Sequence, residues 1–261
     1  MNAGNWLLGR PGAAHRVRLV CLPYAGGSAA AYLPWQGCLG EDIAVRAVQL
    51  PGRANRLFQP CMSDLAGLVS VLADVIHADS GVPYAIFGHS MGALIGFELA
   101  RHCVAQGMTP PIHLFASACQ APRMRSPSRG LHRLPQRELL HELKHYEGTP
   151  PGILDNEKLM AMLLPAIRAD FSIVERYVYQ AGPALPVPLT ALAGKSDHFI
   201  SAAQVAAWGP ETMSTFDIRW FNGGHLFIRD EQQLVMETIR DALLSAAEPA
   251  LAHSALSVEG A

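Results

Sequence analysis

A chain of 261 residues, half of them apolar and 16% charged, holds ample material for one large core and excludes wholesale disorder. Its net charge of −2 and pI near 6.6 exclude the clustered basic excess of a nucleic-acid binder. The five cysteines (Cys21, Cys38, Cys61, Cys103, Cys119) are odd in number, scattered and free of any C-x-x-C pair, and mostly sit in apolar surroundings, which points to free thiols, most of them in the core, in a reducing cytoplasm.

After a loose, Gly-containing N-terminus with neither a basic segment nor an apolar run beyond Trp6-Leu7-Leu8, no secretory signal is expected. No stretch approaches the roughly 18 uninterrupted apolar residues of a spanning helix, so no membrane role is expected. Val17-Arg18-Leu19-Val20-Cys21-Leu22 reads as the first strand and runs into a loop of small residues, Pro23-Tyr24-Ala25-Gly26-Gly27-Ser28. Ile43-Ala44-Val45-Arg46-Ala47-Val48 is a second strand, ended by Leu50-Pro51-Gly52. Ser63 is placed to cap a helix whose apolar residues Leu65, Leu68, Val69, Leu72, Val75 and Ile76 follow helical spacing. Tyr84-Ala85-Ile86-Phe87 suits a buried strand, the segment from Ala93 to Ala100 a helix, and Ile112-His113-Leu114-Phe115-Ala116 another strand. Strands alternating with helices in this way predict a mostly parallel sheet covered on both faces.

From about Pro122 the pattern changes. A basic, punctuated loop carries Arg123, Arg125, Arg129 and Arg133, and residues 135–180 read as several short helices, broken at 148–152 and again at Pro165. A long helical insertion late in a parallel sheet is where a lid is expected. The sheet resumes over 187–193, which lead into Gly194-Lys195-Ser196-Asp197, and continues over 216–221, which lead into Asn222-Gly223-Gly224-His225. Leu234 to Leu244 supplies a closing helix, and the Ala-, Pro- and Ser-rich segment from Ser245 to Ala261 reads as a frayed tail. The organisation is therefore one α/β domain over residues 1–261, with its core at about 16–121 and 183–244, a lid at about 122–182 and a disordered tail at 245–261.

The chain is organised around Gly88-His89-Ser90-Met91-Gly92, a G-x-S-x-G between a strand and a helix. Such a strained turn lifts the serine Oγ out of the sheet and aims the next N–H, that of Met91, at whatever Ser90 attacks. A serine hydroxyl needs a histidine to take its proton and a carboxylate to hold that histidine's tautomer. Asp197 and His225 follow Ser90 in the order of α/β-hydrolases and lie just past successive strand ends, where parallel sheets bind ligands. His198 is the competing base, but its direct adjacency to Asp197 makes the pairing awkward; His89 would support the turn. A second oxyanion donor should come from the loop after the first strand, with Ala25 favoured and Tyr24 the alternative. A different chemistry is suggested by His141-Glu142-Leu143-Lys144-His145, a literal H-E-x-x-H zincin pattern. Against zinc, the helix stops near Gly148-Thr149-Pro150-Pro151 and no third ligand is signalled, so a metallopeptidase is the remote reading and no metal is expected.

Leu22-Pro23-Tyr24-Ala25-Gly26-Gly27-Ser28-Ala29 with Tyr32 and Trp35, Gln49-Leu50-Pro51-Gly52-Arg53, the elbow, Leu164-Pro165-Ala166-Ile167-Arg168-Ala169-Asp170-Phe171, and the segments ending at Asp197 and His225 together resemble the type II thioesterases. These are the free-standing editing enzymes of polyketide and nonribosomal peptide assembly lines, and the resemblance spans roughly residues 16 to 244. It implies an α/β-hydrolase fold and hydrolysis of aberrant or stalled acyl groups from the phosphopantetheine arm of an acyl-loaded carrier protein, without cofactor. A monomer is expected, with neither a nucleic-acid nor a membrane partner. A medium-chain acyl-carrier-protein thioesterase or an acyltransferase on the same fold is the alternative. Ala54 stands where the family usually carries an acidic residue, and Leu226 replaces a usual phenylalanine. The family's carriers are typically acidic around the pantetheine site, which makes the arginine loop a candidate docking surface.

Overall fold

Seven strands form one sheet in a computed structural model that describes residues 6–10, 15–79, 81–125, 128–146 and 151–256. They are β1 (Leu7–Leu8), β2 (Val17–Leu22), β3 (Ile43–Val48), β4 (Tyr84–His89), β5 (Leu114–Ser117), β6 (Leu189–Gly194) and β7 (Phe216–Phe221), in the spatial order β1-β3-β2-β4-β5-β6-β7. All neighbours from β3 to β7 are parallel, and only the β1–β3 pair, Leu7 opposite Val48, is antiparallel. Every residue of β2, β3, β4, β5 and β6 is buried, which is why these strands read as continuous apolar runs rather than alternating ones.

The helices are α1 (Gln36–Leu39), α2 (Leu65–Ala78), α3 (Met91–Ala105), α4 (Gln136–His145), α5 (Pro151–Leu154), α6 (Glu157–Arg176), α7 (Ala202–Ala206), α8 (Phe227–Asp230) and α9 (Gln232–Leu256). Alternate strand residues feed two cores. Val20, Leu22 and Ile86 pack with α2 and α3 residues such as Leu72 and Ile95 on one face. Leu19, Cys21 and Phe87 pack with Trp35, Phe227 and the α9 residues Val235 and Ile239 on the other. A third, smaller cluster, including Leu131, Leu139, Leu143, Leu164 and Phe171, belongs to the insertion between β5 and β6. Among the described residues no helix is long and apolar enough to cross a membrane.

Several local expectations need correcting. The cap of α2 is Asp64, one residue after Ser63; its carboxylate accepts the Gly67 N–H at 2.9 Å. Pro165 does not interrupt the insertion, because α6 runs through it. Pro165 and Ala161, whose carbonyl loses its partner there, both lie on the exposed side, so water can serve that carbonyl. β1 carries too few residues to show a period and was not legible. The closing helix extends past Leu244 to Leu256, through most of the segment read as a frayed tail; its alanines keep helix propensity high. The Gly148-Thr149-Pro150 break, Ser126-Pro127 and the last five residues fall outside the described residues.

At the amino-terminal edge of the sheet a carboxylate gathers two buried arginines. Asp79 accepts a bidentate pair from Arg46, Nε and Nη2 each at 2.8 Å, and a third contact from Arg18 Nη1 at 3.3 Å. Both guanidinium side chains are 6% exposed. Removing the carboxylate alone strands two desolvated cations, at a cost of about 3 kcal/mol. Asp79→Ala should therefore lower the thermal midpoint by roughly 6–12 °C. The turnover of the folded variant, measured well below that midpoint, should stay near wild type because the pair lies at the edge remote from Ser90.

Candidate active site

The register of the sheet brings the ends of its strands to one level. Leu22 lies beside Gly88, His89 beside Ser117, Ser117 beside Leu192, and Gly194 beside Phe221. The loops that follow β2, β4, β6 and β7 therefore open on the same edge. Ser90 is the single residue between β4 and α3, with φ 55° and ψ −111°. Its N–H donates to Ser117 O at 2.8 Å. The elbow is packed so closely that a Cβ built on Gly92 would lie 2.1 Å from the Leu22 carbonyl oxygen, so only glycine fits.

Ser90 Oγ lies 3.0 Å from His225 Nε2, and His225 Nδ1 lies 2.8 Å from Asp197 Oδ2. A carboxylate only accepts, so Nδ1 carries the proton and Nε2 is left as the acceptor for the Ser90 hydroxyl. Asp197 is held in turn: its side chain is 2% exposed and Oδ1 accepts the Phe199 N–H at 2.9 Å. The two loops are laced together by Lys195 N–H to Phe221 O at 2.8 Å and Ser196 N–H to Gly223 O at 2.9 Å. His198 is exposed, and the imidazole in hydrogen-bond reach of the Ser90 hydroxyl is that of His225.

The turn Tyr24–Gly27 faces Ser90 across a cavity of about 620 Å³, lined also by Met91, Phe171, Phe199 and Leu226. The N–H groups of Tyr24, Ala25 and Met91 donate to no acceptor among the described residues, so these donors are available at the mouth of the cavity. The insertion roofs it. Tyr146, at the end of α4, stacks on Phe199 with ring centroids 4.5 Å apart, and Phe199 meets the His225 ring edge-on at 5.4 Å. Neither aromatic was legible as part of the site, since nothing local distinguishes them. A larger groove of about 780 Å³ lies between α2, α3 and the segment 173–185, away from Ser90.

The thioesterase-domain family pattern matches residues 17–243, most of the chain. The chain belongs to the thioesterase domain family. It is 39% identical to the linear gramicidin dehydrogenase LgrE of Brevibacillus parabrevis, over 94% of this chain and 95% of that one. It is 36% identical to the gramicidin S biosynthesis protein GrsT of Aneurinibacillus migulanus, over 86% and 88%. Among solved structures, the type II thioesterase BorB from the borrelidin biosynthetic cluster superposes with a TM-score of 0.84 at 35% identity, covering 92% of this chain and 98% of that one. The sheet and its helical insertion are thus those of a thioesterase with the α/β-hydrolase fold.

Two further sequence signals can be placed on the structure of this thioesterase. In the H-E-x-x-H segment, Glu142 is paired with Arg129, and His145 Nδ1 meets the His141 carbonyl at 3.1 Å. No group of three metal-ligating side chains stands together among the described residues. Three of the four arginines in the basic loop are engaged within the chain. Arg123 is bound to Glu211 at 2.6 Å, Arg125 donates to the Val174 carbonyl at 3.2 Å with its guanidinium over Tyr177, and Arg129 holds Glu142. These three arginines fasten the base of the insertion, two of them through carboxylates. Of the two departures from the family pattern, Ala54 is exposed with φ 46°, and Leu226 lines the cavity.

Two consequences can be measured. A Cβ on Gly194 would lie 2.3 Å from Gly224 O and 2.7 Å from Gly223 O, so a side chain there must part the loops carrying Asp197 and His225. Gly194→Ala should reduce kcat by about 10²-fold through misplacement of His225, with KM little changed in steady-state assays.

Second, two buried imidazoles make stability depend on pH. Desolvation, reinforced by the nearby His225, holds His89 well below its ordinary value of 6.5; its Nδ1 meets Ser117 Oγ at 2.9 Å. Desolvation likewise lowers His113, which bonds Thr190 Oγ1 at 2.9 Å, to about 4. Below about pH 6.5 the unfolded chain therefore binds more protons than the folded one, and stability falls with pH. Each group contributes at most about 1.4 kcal/mol per pH unit in this window. The thermal midpoint should be flat between about pH 7 and 8 and fall between about pH 6.5 and 4.5. His113→Gln, which keeps a partner for Thr190, should make that fall shallower.

Proposed function

We propose that this protein hydrolyses aberrant or stalled acyl groups from the phosphopantetheine thiol of carrier proteins in polyketide or nonribosomal peptide assembly lines. The observation that carries the reading is the hydrogen-bonded series Ser90–His225–Asp197 at the mouth of the roofed cavity. Membership of the thioesterase family and similarity to a type II enzyme support it.

Ser90 Oγ attacks the thioester carbonyl carbon as its proton passes to His225 Nε2. Asp197 stabilises the resulting imidazolium through Nδ1–H without itself taking a proton. The carbonyl oxygen becomes an oxyanion, held by the N–H groups of Met91 and Ala25. As the tetrahedral intermediate collapses, the C–S bond breaks and the departing sulfur takes the proton from His225, releasing the carrier thiol. A water then gives its proton to Nε2 and attacks the Ser90 ester, and Ser90 Oγ leaves with that proton. A thiol of pKa near 8.5 is a good leaving group, so this chain's own groups suffice for the chemistry. The insertion acts as the lid that screens the ester from solvent, and its aromatic roof over His225 keeps the imidazole in place.

Incubating a panel of acyl-loaded carrier proteins with the enzyme and weighing the carriers by mass spectrometry tests the reading. Loss of the acyl mass together with free acid is expected; transfer to an added amine or alcohol in preference to water would assign acyltransfer instead. Ser90→Ala should fold normally yet lose about four to six powers of ten in rate. Retained hydrolysis in that variant would sink the assignment of Ser90, and inactivation by a chelator would redirect it to the H-E-x-x-H segment.

A further inference from the structure

Two stretches that carry no reacting group meet beneath the loop after β2. Asp170 lies on α6 in the insertion, and Arg53 lies in the loop after β3, 117 positions away. Their side chains are 1% and 5% exposed. They form a bidentate fork, Nη1 to Oδ2 at 2.6 Å and Nη2 to Oδ1 at 2.7 Å. Each partner then reaches the same backbone turn. Asp170 Oδ2 accepts the Gly26 N–H at 2.8 Å, and Arg53 Nη1 donates to the Gly27 carbonyl at 3.0 Å. The turn is closed by Gly27 N–H to Tyr24 O at 2.8 Å, so Ala25 sits inside a loop pinned on its far side by this pair. Neither charged side chain lines the cavity.

Fold stability alone is a poor reason for such an arrangement. Burying two charges costs desolvation that their attraction often fails to exceed, and an apolar pair of similar volume can be as stable or more so. What an apolar pair cannot do is fix the direction of two peptide groups in a Gly-Gly loop. Direction is what an oxyanion donor requires, since it acts only within about 2.7–3.1 Å of the developing charge.

We propose that the Arg53–Asp170 pair is the positioning device of the oxyanion hole, holding the Tyr24–Gly27 turn so that its N–H faces the reacting carbonyl. Through Asp170, α6 of the insertion becomes a working part of that hole rather than only a cover. The inference rests on the assignment of Ser90 and of the Ala25 N–H made above.

The test uses the full-length enzyme, an acyl group on a short thiol as substrate, and the matching trifluoromethyl ketone as probe. Addition of Ser90 Oγ to that ketone forms the C–O bond and places its oxygen, now an alkoxide, in the hole. Asp170→Asn keeps an acceptor for Gly26 but loses the charge. Arg53→Met with Asp170→Leu removes both charges and leaves no buried ion unpaired. In the double variant kcat should fall about 10²- to 10³-fold, as for loss of one donor, with KM within about twofold of wild type. The inhibition constant of the ketone should rise by the same factor, while the thermal midpoint stays close to wild type. Asp170→Asn should lie between. A folded double variant with kcat within threefold of wild type would overturn the proposal. So would a loss of kcat that leaves affinity for the ketone unchanged, or one expressed in KM. A wild-type enzyme inert to both thioester and ketone would overturn the reading of Ser90 as well, whereas an active wild type with indifferent variants removes only the role of the pair.

Discussion

Ser90 is held at φ 55° and ψ −111°, which an L-residue adopts only where its surroundings impose it, at a cost of about 1–3 kcal/mol. The imposition comes from both sides. β4 is hydrogen-bonded between β2 and β5, and α3 starts at once, with Gly92 pressed on the Leu22 carbonyl. The Ser90 N–H is taken by Ser117 O on the neighbouring strand. Strand, turn and helix thus have nowhere to relax, and the hydroxyl is presented at the carboxyl edge of the sheet at a fixed height. The other groups of the site are arranged around that point. β6 and β7 reach the same level before releasing Asp197 and His225.

The molecule uses one kind of interaction for two purposes. At the amino edge Asp79 gathers Arg18 and Arg46, tying the end of α2 to β2 and β3. At the carboxyl edge Asp170 and Arg53 tie the insertion to a turn beside Ser90. The first cluster touches strands that backbone pairing already fixes, so its effect is on stability. The second touches the peptide groups of a Gly-Gly turn outside the sheet, so its effect is on geometry. Arg123 and Arg129 follow the same logic at lower burial, pairing with Glu211 and Glu142, while Arg125 donates to a backbone carbonyl.

The core strands were legible because parallel strands buried on both faces are short unbroken apolar runs, and β2 and β3 fall on the expected residues. β7, half exposed, also falls where expected, on the alternation of Phe216, Ile218 and Trp220 with polar residues. Boundaries set by single hydrogen bonds were not: Asp64 rather than Ser63 caps α2, and Pro165 sits where its missing N–H is harmless. Asp170 did leave a trace, a carboxylate in the apolar stripe with Ile167 and Phe171, whose meaning depends on a partner 117 residues away. In the arginine loop a linear count of charge does not show that Arg123 and Arg129 are paired with Glu211 and Glu142.

By itself the sequence determined the α/β alternation, the elbow at Ser90 and the order in which Asp197 and His225 follow, since each is written in local periodicity, in turn chemistry or in chain order. The tertiary structure alone decided that Ser90, His225 and Asp197 stand 3.0 and 2.8 Å apart, that Tyr146 and Phe199 roof the imidazole, and that Asp170 grips the Gly26 N–H. Those facts depend on the relative level of strand ends and on the docking of a helix from a distant part of the chain. No window of residues encodes either, because both follow from how separately folded elements fill one volume.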